Sequence, residues 1–234
     1  NKGEMTKEYN YADGVSKEKL TFNRYNHLLA SACTPEEYKI EVTNPCAEFA
    51  SNGYNSCNLA SINLYNFVEC PFTEDAYFSF MRFSSVVRNS ICVLDEVLDY
   101  GYDMQPLDEN RKNIEDWRSL GLGVFGVADM LVAMGIEYGS KESIKLIEDI
   151  MKIMKYSALE SSALLAKDKG SYKKFDYEKV QKSRYLRDVF DNQWSDVADL
   201  IQRYGLRNST LLSIAPTGSI AMLFNESGGV EPYY

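Results

Sequence analysis

Two short segments of this 234-residue chain carry residue types that could act together in catalysis. The first, Asn44-Pro-Cys-Ala-Glu48, places an amide, a thiol and a carboxyl group at alternating positions. Side chains at positions i, i+2 and i+4 of an extended segment point to one side, so we expect Asn44, Cys46 and Glu48 to converge on one small molecule. They would supply a hydrogen-bonding group, a sulfur and an acid–base group. The alternative is a loop with a buried cysteine and two solvated polar side chains.

The second segment, Ser213-Ile-Ala-Pro-Thr-Gly-Ser-Ile-Ala221, predicts a phosphate-binding turn between a strand and a helix. Residues 209–214 are typical of a short buried strand, and residues 219–224 of the first turns of a helix. Free backbone N–H groups and the dipole at a helix N-terminus favour an anion. Hydroxyl groups on Thr217 and Ser219 would add donors, although an ordinary strand-to-helix connection has the same pattern. The candidate phosphate-binding residues are Pro216, Thr217, Gly218, Ser219 and Ile220.

The composition restricts the classes of partner. Hydrophobic residues make up 45% of the chain, enough for a sizeable core, and the net charge is −9 without a basic tract. This balance argues against a surface that binds nucleic acid directly. An anionic substrate would have to be held by local dipoles and donors. No apolar run approaches the roughly 18 residues needed to cross a membrane.

The cysteine content indicates a reducing compartment. No C-x-x-C pair occurs, and the only histidine is His27. A zinc site needs about four well-spaced ligands, so no metal site is expected from this chain alone. An odd number of cysteines in an acidic chain without a signal peptide predicts free or transiently paired thiols in a soluble, cytoplasmic protein. The cysteines are Cys33, Cys46, Cys57, Cys70 and Cys92.

The elements that must position these segments alternate between strands and helices, which predicts an α/β architecture with helices outside a sheet or barrel. The polar residues 1–20 are expected to be a flexible lead-in, and residues 21–234 to form the folded domain. The first long helix is expected to begin at Thr73 and stop at Gly101. The predicted strands cover residues 38–43, 57–64 and 120–126, and the predicted helices cover residues 73–101, 127–134, 140–169, 177–190 and 195–204.

The two longest helices carry apolar stripes that we interpret as core faces. The stripe of the first helix consists of Phe80, Ser84, Val87, Ile91, Leu94 and Leu98, and that of the second consists of Ile144, Ile147, Met151, Met154, Ala158, Ser161 and Leu165.

A glycine pattern near the middle of the chain has two interpretations. Gly121, Gly123 and Gly126 fit the G-x-G-x-x-G fingerprint of dinucleotide-binding proteins, and Glu142 lies near the position of its acidic residue. However, Glu142 falls at the start of a helix and not at the end of a second strand. Close packing of a helix on the strand is the preferred interpretation.

Six short segments occur along the chain in the following order: Asn44-Pro-Cys-Ala-Glu48, Ser56-Cys-Asn-Leu-Ala-Ser-Ile-Asn63, Ser119-Leu-Gly-Leu-Gly-Val-Phe-Gly-Val-Ala-Asp129, Tyr204-Gly-Leu-Arg-Asn208, Ile214-Ala-Pro-Thr-Gly-Ser-Ile220 and Gly228-Gly-Val-Glu-Pro232. With these segments in this order, the chain resembles the catalytic large chain of ribonucleotide reductase. This resemblance implies a ten-stranded α/β barrel with a finger loop through its middle, of which this chain would supply the finger loop and the second half. It also implies radical-based reduction of ribonucleotides to 2′-deoxyribonucleotides for DNA synthesis.

The resemblance also implies a role for each residue of the first segment. Cys46 would become a thiyl radical and abstract hydrogen from C3′ of the ribose, Glu48 would take the proton of the 3′-hydroxyl, and Asn44 would hold the ribose hydroxyls. Cys57 matches one member of the redox-active thiol pair that closes to a disulfide. Cys33 does not match the other member. We expect Cys33, Cys70 and Cys92 to be buried small hydrophobes.

The resemblance further implies cofactors and partners. The motifs look most like the adenosylcobalamin-dependent branch, and the alternative is a radical delivered by a separate metal-containing subunit. A thioredoxin- or glutaredoxin-type protein would reduce the disulfide. Because the chains of this family are several times longer, the chain looks like a split-gene product, a proteolytic piece or a deliberately cut segment. It is expected to need a companion chain with the N-terminal barrel half. A non-catalytic scaffold or regulatory remnant of the same barrel is the alternative function.

Overall fold

The structure, a computed structural model, describes residues 9–11, 14–16, 40–187 and 189–233. Strands β1 (Tyr9–Tyr11) and β2 (Gly14–Ser16) pair antiparallel within the segment expected to be a flexible lead-in. Its flexibility and its boundary at residue 20 stay predictions. The strand expected over residues 38–43 is described only at its end, where β3 (Val42–Thr43) pairs antiparallel with β4 (Ala50–Ser51).

The centre of the fold is a pair of parallel strands. Strand β5 (Asn58–Asn63) pairs in parallel with β8 (Leu120–Phe125), with Asn58 opposite Leu120 and Asn63 opposite Phe125. Both strands were expected from the sequence, at residues 57–64 and 120–126, and the observed bounds agree with these within one residue. All six residues of β8 are buried, as is usual for a parallel strand that is covered on both faces.

A third segment runs along the other edge of β8. The N–H of Leu122 donates to the carbonyl of Leu211 at 2.8 Å, and the N–H of Ser213 donates to the carbonyl of Leu122 at 3.1 Å. Leu122 and Leu212 form a parallel bridge. The strand expected over residues 209–214 therefore exists as a short line of hydrogen bonds, and it lies beside the strand that carries the glycines.

One long helix packs on one face of these strands, and a second long helix packs against the first. Helix α1 (Phe80–Tyr102) packs on both β5 and β8 and against helix α4 (Lys141–Lys169). The buried stripe of α1 contains Val87, Ile91, Leu94 and Leu98, as predicted, together with Phe83 in place of Phe80. The predicted start at Thr73 is wrong. The hydroxyl of Thr73 donates to the carbonyl of Cys70 in a turn, and a short hairpin comes before the helix.

Helix α4 begins where the sequence predicts, because the side chain of Ser140 accepts a hydrogen bond from the N–H of Ser143 as an N-cap. Its core face includes Ile150, Met154 and Ala158, but the expected first member, Ile144, is 61% exposed. Small residues allow α1 to approach closely, and the hydroxyls of Ser84 and Ser157 hydrogen-bond across the contact at 2.9 Å.

Shorter elements complete the described fold. The helix expected over 177–190 is instead divided into a one-turn α-helix, a 3₁₀ turn and a π-helical turn, whereas the helix expected over 195–204 is confirmed. Their bounds, with those of the remaining elements, are a 3₁₀ turn at Leu64–Phe67, β6 (Val68–Glu69), β7 (Tyr77–Phe78), α2 (Asp108–Trp117), α3 (Val127–Ala133), α5 (Tyr177–Val180), the 3₁₀ turn Arg184–Leu186, the π-helical turn Val189–Gln193, α6 (Ser195–Tyr204) and α7 (Gly218–Phe224).

The described residues form an α/β arrangement of parallel strands and covering helices, as predicted. They do not form a closed barrel, because β8 has one hydrogen-bonded neighbour on each side and the described strands do not continue further around. Across the described residues, no helix combines the length and the apolar character needed to cross a membrane.

Candidate functional site

Residues 44–48 form the tip of the hairpin between β3 and β4. The N–H of Ala47 donates to the carbonyl of Asn44 at 3.0 Å, which closes a turn. Ala47 has a φ of 61°, in the left-handed region that few non-glycine residues adopt. The prediction of an extended pentapeptide is therefore wrong, because the chain reverses direction within it and its side chains do not alternate as in a strand.

Asn44 closes this hairpin with its side chain. Its Oδ1 accepts a hydrogen bond from the N–H of Phe49 at 3.0 Å, and its own N–H donates to the carbonyl of Phe49 at 3.1 Å. The amide oxygen of Asn44 is thus used to hold the loop. The Nδ2 group is the part of the side chain that can donate to a bound molecule.

Glu48 connects the hairpin to the central strands. The hydroxyl of Ser213 donates to the carbonyl of Glu48 at 3.1 Å. The Oε2 atom of Glu48 is buried and has no hydrogen-bond partner among the described residues. An unsatisfied buried acceptor costs about 1–3 kcal/mol. This oxygen is therefore suited to accept a hydrogen bond or a proton from a bound molecule.

Cys57 lies directly before β5, close to both β8 and the carboxylate of Glu48. A Cβ atom placed on Gly121 would come within 3.0 Å of the Cys57 sulfur and 3.1 Å of the Cβ of Ser213. Burial, and secondly the negative charge of Glu48, raise the pKa of Cys57 to about 12. Cys57 is consequently a neutral thiol at neutral pH.

The glycines of β8 make room for neighbouring strands. A Cβ atom on Gly123 would come within 2.5 Å of the carbonyl oxygen of Ser213, and one on Gly126 within 2.5 Å of Asn63 Oδ1. The expected close packing of a helix on the strand is wrong, because the groups that approach Gly121 and Gly123 belong to the neighbouring extended segments at residues 57–59 and 213–214.

A cavity of about 250 Å³ opens between the hairpin and the start of β5. Asn44 and Cys57 both line this cavity. Cys46, Glu48 and residues 216–220 do not line it. The lining residues are Val42, Thr43, Asn44, Phe49, Ser51, Asn55, Cys57 and Leu59.

The four described cysteines are free thiols in different surroundings. Cys46 is exposed at the hairpin tip, and Cys92 is partly buried in α1, where burial raises its pKa. The expectation that Cys70 is buried is wrong, because it is exposed in a turn with a φ of 50°. Cys33 lies outside the described residues. Among the described residues, no group of three or more His, Cys, Asp or Glu side chains is arranged to hold a metal ion.

The predicted phosphate-binding turn leads into α7 as expected. Thr217 is the N-cap with a φ of 56°, and the N–H of Ala221 is the first to bond within the turn, donating to the carbonyl of Thr217 at 2.7 Å. The N–H groups of Gly218, Ser219 and Ile220 precede it and have no acceptor inside the helix. All three of these residues are exposed, and a Cβ atom placed on Gly218 would have open space around it, with no neighbouring segment within 4 Å.

One expected donor in this turn is already used. The hydroxyl of Thr217 donates to the carbonyl of Pro216 at 2.8 Å and accepts a hydrogen bond from the N–H of Gly229 at 2.8 Å. Thr217 is also buried, whereas Pro216 is exposed. Thr217 therefore shapes the turn, and the candidate side-chain donor that stays available is the exposed hydroxyl of Ser219.

A group of polar residues that the sequence reasoning did not single out lies at the carboxyl ends of β5 and β8. The Nδ2 group of Asn63 donates to Glu226 Oε1 at 3.3 Å, and the N–H and hydroxyl of Ser227 both donate to Asp129 Oδ2 at 2.7 Å. Burial, opposed by the hydrogen bond from Asn63, raises the pKa of Glu226, and Asp129 adds to the rise. Asn63 at the end of β5 and Asp129 in the first turn of the helix that follows β8 were the available signals.

The structure thus unites part of the predicted site. Asn44 and Cys57 line one cavity where the hairpin packs against the start of β5, and Glu48 lies close enough to Cys57 to raise the pKa of that thiol. Ser213 connects this group through the chain to the turn at 216–220. Cys46 lies at the exposed end of the hairpin.

Comparison with known proteins identifies a family match over most of the chain. Residues 11–234 match the family model described as ribonucleotide reductase, barrel domain. The chain is 31% identical over 214 residues to the vitamin B12-dependent ribonucleoside-diphosphate reductase of Mycobacterium tuberculosis. It is 34% identical over 197 residues to the ribonucleoside-diphosphate reductase subunit alpha of Helicobacter pylori. It is 31% identical over 204 residues to the large chain from Encephalitozoon cuniculi.

These alignments cover most of this chain but a minor part of each relative. They include 92%, 76% and 83% of this chain, and 26%, 23% and 26% of the respective relatives. The chain therefore spans about a quarter of the length of these relatives. Relatives with and without vitamin B12 in their names match it at similar identity.

Proposed function

Because the chain belongs to the ribonucleotide reductase family, we propose that it carries part of the active site in which ribonucleotides are reduced to 2′-deoxyribonucleotides for DNA synthesis. The observation that supports this most strongly is the position of Glu48. Its carboxylate has a buried oxygen without a partner among the described residues and lies close enough to Cys57 to raise the pKa of that thiol. An unsatisfied base beside a neutral thiol suits a reaction that moves both protons and hydrogen atoms.

In the proposed mechanism, the hairpin residues act on the ribose. The thiyl radical of Cys46 takes the hydrogen atom from C3′, and the S–H bond that forms returns this hydrogen at the end of the cycle. Glu48 takes the proton of the 3′-hydroxyl through its unpartnered oxygen. Asn44 donates from Nδ2 to a ribose hydroxyl while its Oδ1 holds the loop.

The reducing equivalents would come from two thiols, one of which is Cys57. As the 2′-hydroxyl leaves as water, the two thiols give up two electrons and two protons and form a disulfide, and C2′ gains a hydrogen. The raised pKa keeps Cys57 in the S–H form that this step requires. A thioredoxin- or glutaredoxin-type protein would reduce the disulfide before the next turnover.

The substrate phosphates would bind at the start of α7. The backbone N–H groups of Gly218, Ser219 and Ile220 and the hydroxyl of Ser219 provide donors, and the open space beside Gly218 provides room. Residues 216 and 217 shape the turn. The relatives' names specify ribonucleoside diphosphates, and we propose this substrate class here.

The radical source is proposed to be adenosylcobalamin, and a separate metal-containing subunit is the alternative. When bound, the cofactor would supply a radical that accepts the hydrogen atom of the Cys46 S–H group, which would leave the thiyl radical on this sulfur. The exposed sulfur of Cys46 fits a source that approaches from outside the chain, and it is the residue that we assign to this contact. The cytoplasmic location expected from the cysteine content stays a prediction.

The proposed activity includes a contribution from further barrel strands, supplied by a companion chain. The relatives are about four times longer than the matched region, and the described strands do not close a barrel. A non-catalytic scaffold or regulatory remnant is the alternative function. The presence of Asn44, Cys46, Glu48 and Cys57 together favours the catalytic one.

Substitution of two exposed cysteines tests the proposal. In the assembled reductase, we expect Cys46→Ser to abolish deoxyribonucleotide formation, because a hydroxyl O–H bond is too strong to exchange a hydrogen atom in this way. Cys70→Ser is the matched control, since Cys70 is also exposed and also lies in a tight turn. It should retain activity within about twofold. Full activity of Cys46→Ser would overturn the proposal and favour the scaffold function.

A further inference from the structure

The helix whose N-terminus forms the proposed phosphate site is too short to be stable by itself. Helix α7 has seven residues, and an isolated helix of this length is unstable in water. Its first and last turns are instead held by residues that follow it in the chain. The N–H of Gly229 donates to the hydroxyl of Thr217 at 2.8 Å, and the N–H of Glu226 donates to the carbonyl of Ala221 at 2.9 Å.

The segment 226–229 packs tightly against the turn that it holds. A Cβ atom on Gly228 would come within 3.1 Å of the carbonyl oxygen of Pro216, and one on Gly229 within 3.5 Å of the carbonyl oxygen of Ala215. Gly229 has a φ of 50°, which places its N–H towards Thr217 without strain. Any movement of this segment would therefore be transmitted to the N-cap of α7.

The segment 226–229 is itself fixed by the first turn of α3. The N–H and the hydroxyl of buried Ser227 both donate to Asp129 Oδ2 at 2.7 Å. The carbonyl of Ser227 accepts a hydrogen bond from the N–H of Gly126 at 2.9 Å, and its hydroxyl accepts one from the N–H of Ala128 at 3.2 Å. The hydroxyl of Tyr233 donates to the other oxygen of Asp129. One carboxylate thus anchors both ends of residues 227–233.

We infer that Asp129 is a positioning residue for the phosphate-binding turn, acting through Ser227 and Gly229 on Thr217. This inference rests on the proposed function, since it assigns a purpose to the N-terminus of α7. The carboxylate is suited to this role because each of its oxygens accepts from this segment, Oδ2 from Ser227 and Oδ1 from Tyr233. An asparagine at this position could accept on one side only and would present an N–H₂ group to a donor on the other.

Hydrogen exchange of the 234-residue chain tests the positioning directly. In Asp129→Asn, we expect the amides of residues 217–221 and 226–229 to exchange roughly tenfold faster than in the unchanged chain. Asp196→Asn is the matched control, because Asp196 also lies in the first turn of a helix and also accepts a hydrogen bond from a tyrosine hydroxyl, that of Tyr156. It should leave exchange at residues 217–229 unchanged.

Binding and kinetics then test whether this positioning serves phosphate. With inorganic pyrophosphate as the probe, calorimetry should show a Kd roughly five- to tenfold weaker for Asp129→Asn and unchanged for Asp196→Asn. In the assembled reductase, KM for the nucleotide should rise by a similar factor while kcat stays within about twofold. Substitution of a residue that only stabilises the fold would not raise KM while leaving kcat nearly unchanged.

The outcomes distinguish this inference from the proposed function. Unchanged exchange in Asp129→Asn, with pyrophosphate bound normally, would overturn the positioning role and leave the phosphate site intact. Faster exchange in a chain whose unchanged form does not bind pyrophosphate would overturn the phosphate site. If Asp129→Asn does not fold, Ser227→Ala removes the hydroxyl bonds alone and should give smaller changes in the same directions. No change in Ser227→Ala would also count against the inference.

Discussion

At the residue scale, burial and the charge of Glu48 together control how fast the Cys57 thiol reacts. With its pKa raised from 9.0 to about 12, roughly one Cys57 in ten thousand is ionised at pH 8, whereas roughly one unperturbed thiol in ten is ionised at this pH. Iodoacetamide reacts with the thiolate. We therefore expect Cys57 to be alkylated at least about a hundredfold more slowly than a cysteine in a short peptide, measured by mass spectrometry of peptides at pH 8.

Removal of the neighbouring charge should partly reverse this protection. Glu48→Gln lowers the pKa of Cys57, and alkylation should become roughly two- to tenfold faster. Burial is the larger cause, so most of the protection should remain. Glu69→Gln, a charge removal in β6 beside Arg82, is the control and should change nothing. An equal effect of both substitutions would show that net charge, and not the proximity of Glu48, controls the thiol.

The same raised pKa links Cys57 to folding stability. The folded state holds this proton more tightly than the unfolded state, in which the pKa is near 9.0. The contribution to stability is therefore fully present below about pH 9 and is lost as the pH rises towards 12. At physiological pH the buried thiol is stable as S–H.

Individual side-chain positions were predicted only in part from the sequence. Asn44, Cys46 and Glu48 were expected to converge through the alternation of a strand, but the chain turns between them. Asn44 instead shares a cavity with Cys57, Glu48 lies near Cys57, and Cys46 is exposed. The left-handed conformation of Ala47 has no local signal, since alanine rarely adopts it and only the surrounding contacts stabilise it. The exposure of Cys70 was missed for a similar reason. It lies at a positive φ in a turn that composition does not reveal.

At the element scale, a buried ionic group joins the main helices to the central strands. Asp95 of α1 is completely buried, and its carboxylate accepts hydrogen bonds from Arg118 at 2.6 Å, Asn208 at 2.9 Å and Arg207 at 3.3 Å. Arg118 lies two residues before β8, and Asn208 comes directly before the segment 209–214. This group therefore sets where two of the three parallel segments begin relative to α1.

Loss of the buried charge should destabilise the whole fold. We expect Asp95→Asn to lower the free energy of unfolding by about 3 kcal/mol, because it leaves two guanidinium groups without a full partner in the interior. Asp99→Asn is the control. Asp99 binds the same Arg118 at 2.7 Å, but its side chain is 38% exposed, so its loss should cost about 1 kcal/mol or less. Urea unfolding measures both, and equal losses would contradict this role of burial.

The long elements were the most predictable and the short ones the least. Helix α4 has both a capping serine and a terminal glycine, and β8 is a continuous apolar run, so local signals and tertiary packing agree there. The start of α1 was placed too early. Thr73 resembles an N-cap, but Tyr77 and Phe78, which follow it, form strand β7 and pair with β6, so the helix begins only after them. Pairing with a distant segment is not visible in a local pattern.

At the scale of the whole molecule, a helix covers one face of the parallel strands, whereas the opposite face is partly open. On the side towards α1, Leu120, Leu122 and Val124 of β8 are at most 1% exposed. On the opposite side β8 is also buried, but Leu59 of the neighbouring strand β5, which pairs with Gly121, is 44% exposed. The family resemblance predicted a barrel whose interior would cover this side. The sequence could indicate the parallel strands but not the closure, since closure needs strands beyond those described here.

Because this face is partly open, we expect the 234-residue chain to bind phosphate without catalysing the reaction. A thiyl radical and a base that takes a hydroxyl proton both require that water is kept from the reacting atoms. In this chain Cys46 is exposed, and so is Phe224 at the end of α7 (58%). The donors at the start of α7 belong to a local turn and do not depend on a closed barrel.

We therefore expect the chain alone to bind pyrophosphate but to form no deoxyribonucleotide, and addition of the remaining barrel strands to give turnover. Product formation by the purified chain alone, measured by chromatography of the nucleotides, would show that the open face already excludes water sufficiently and that no companion is needed.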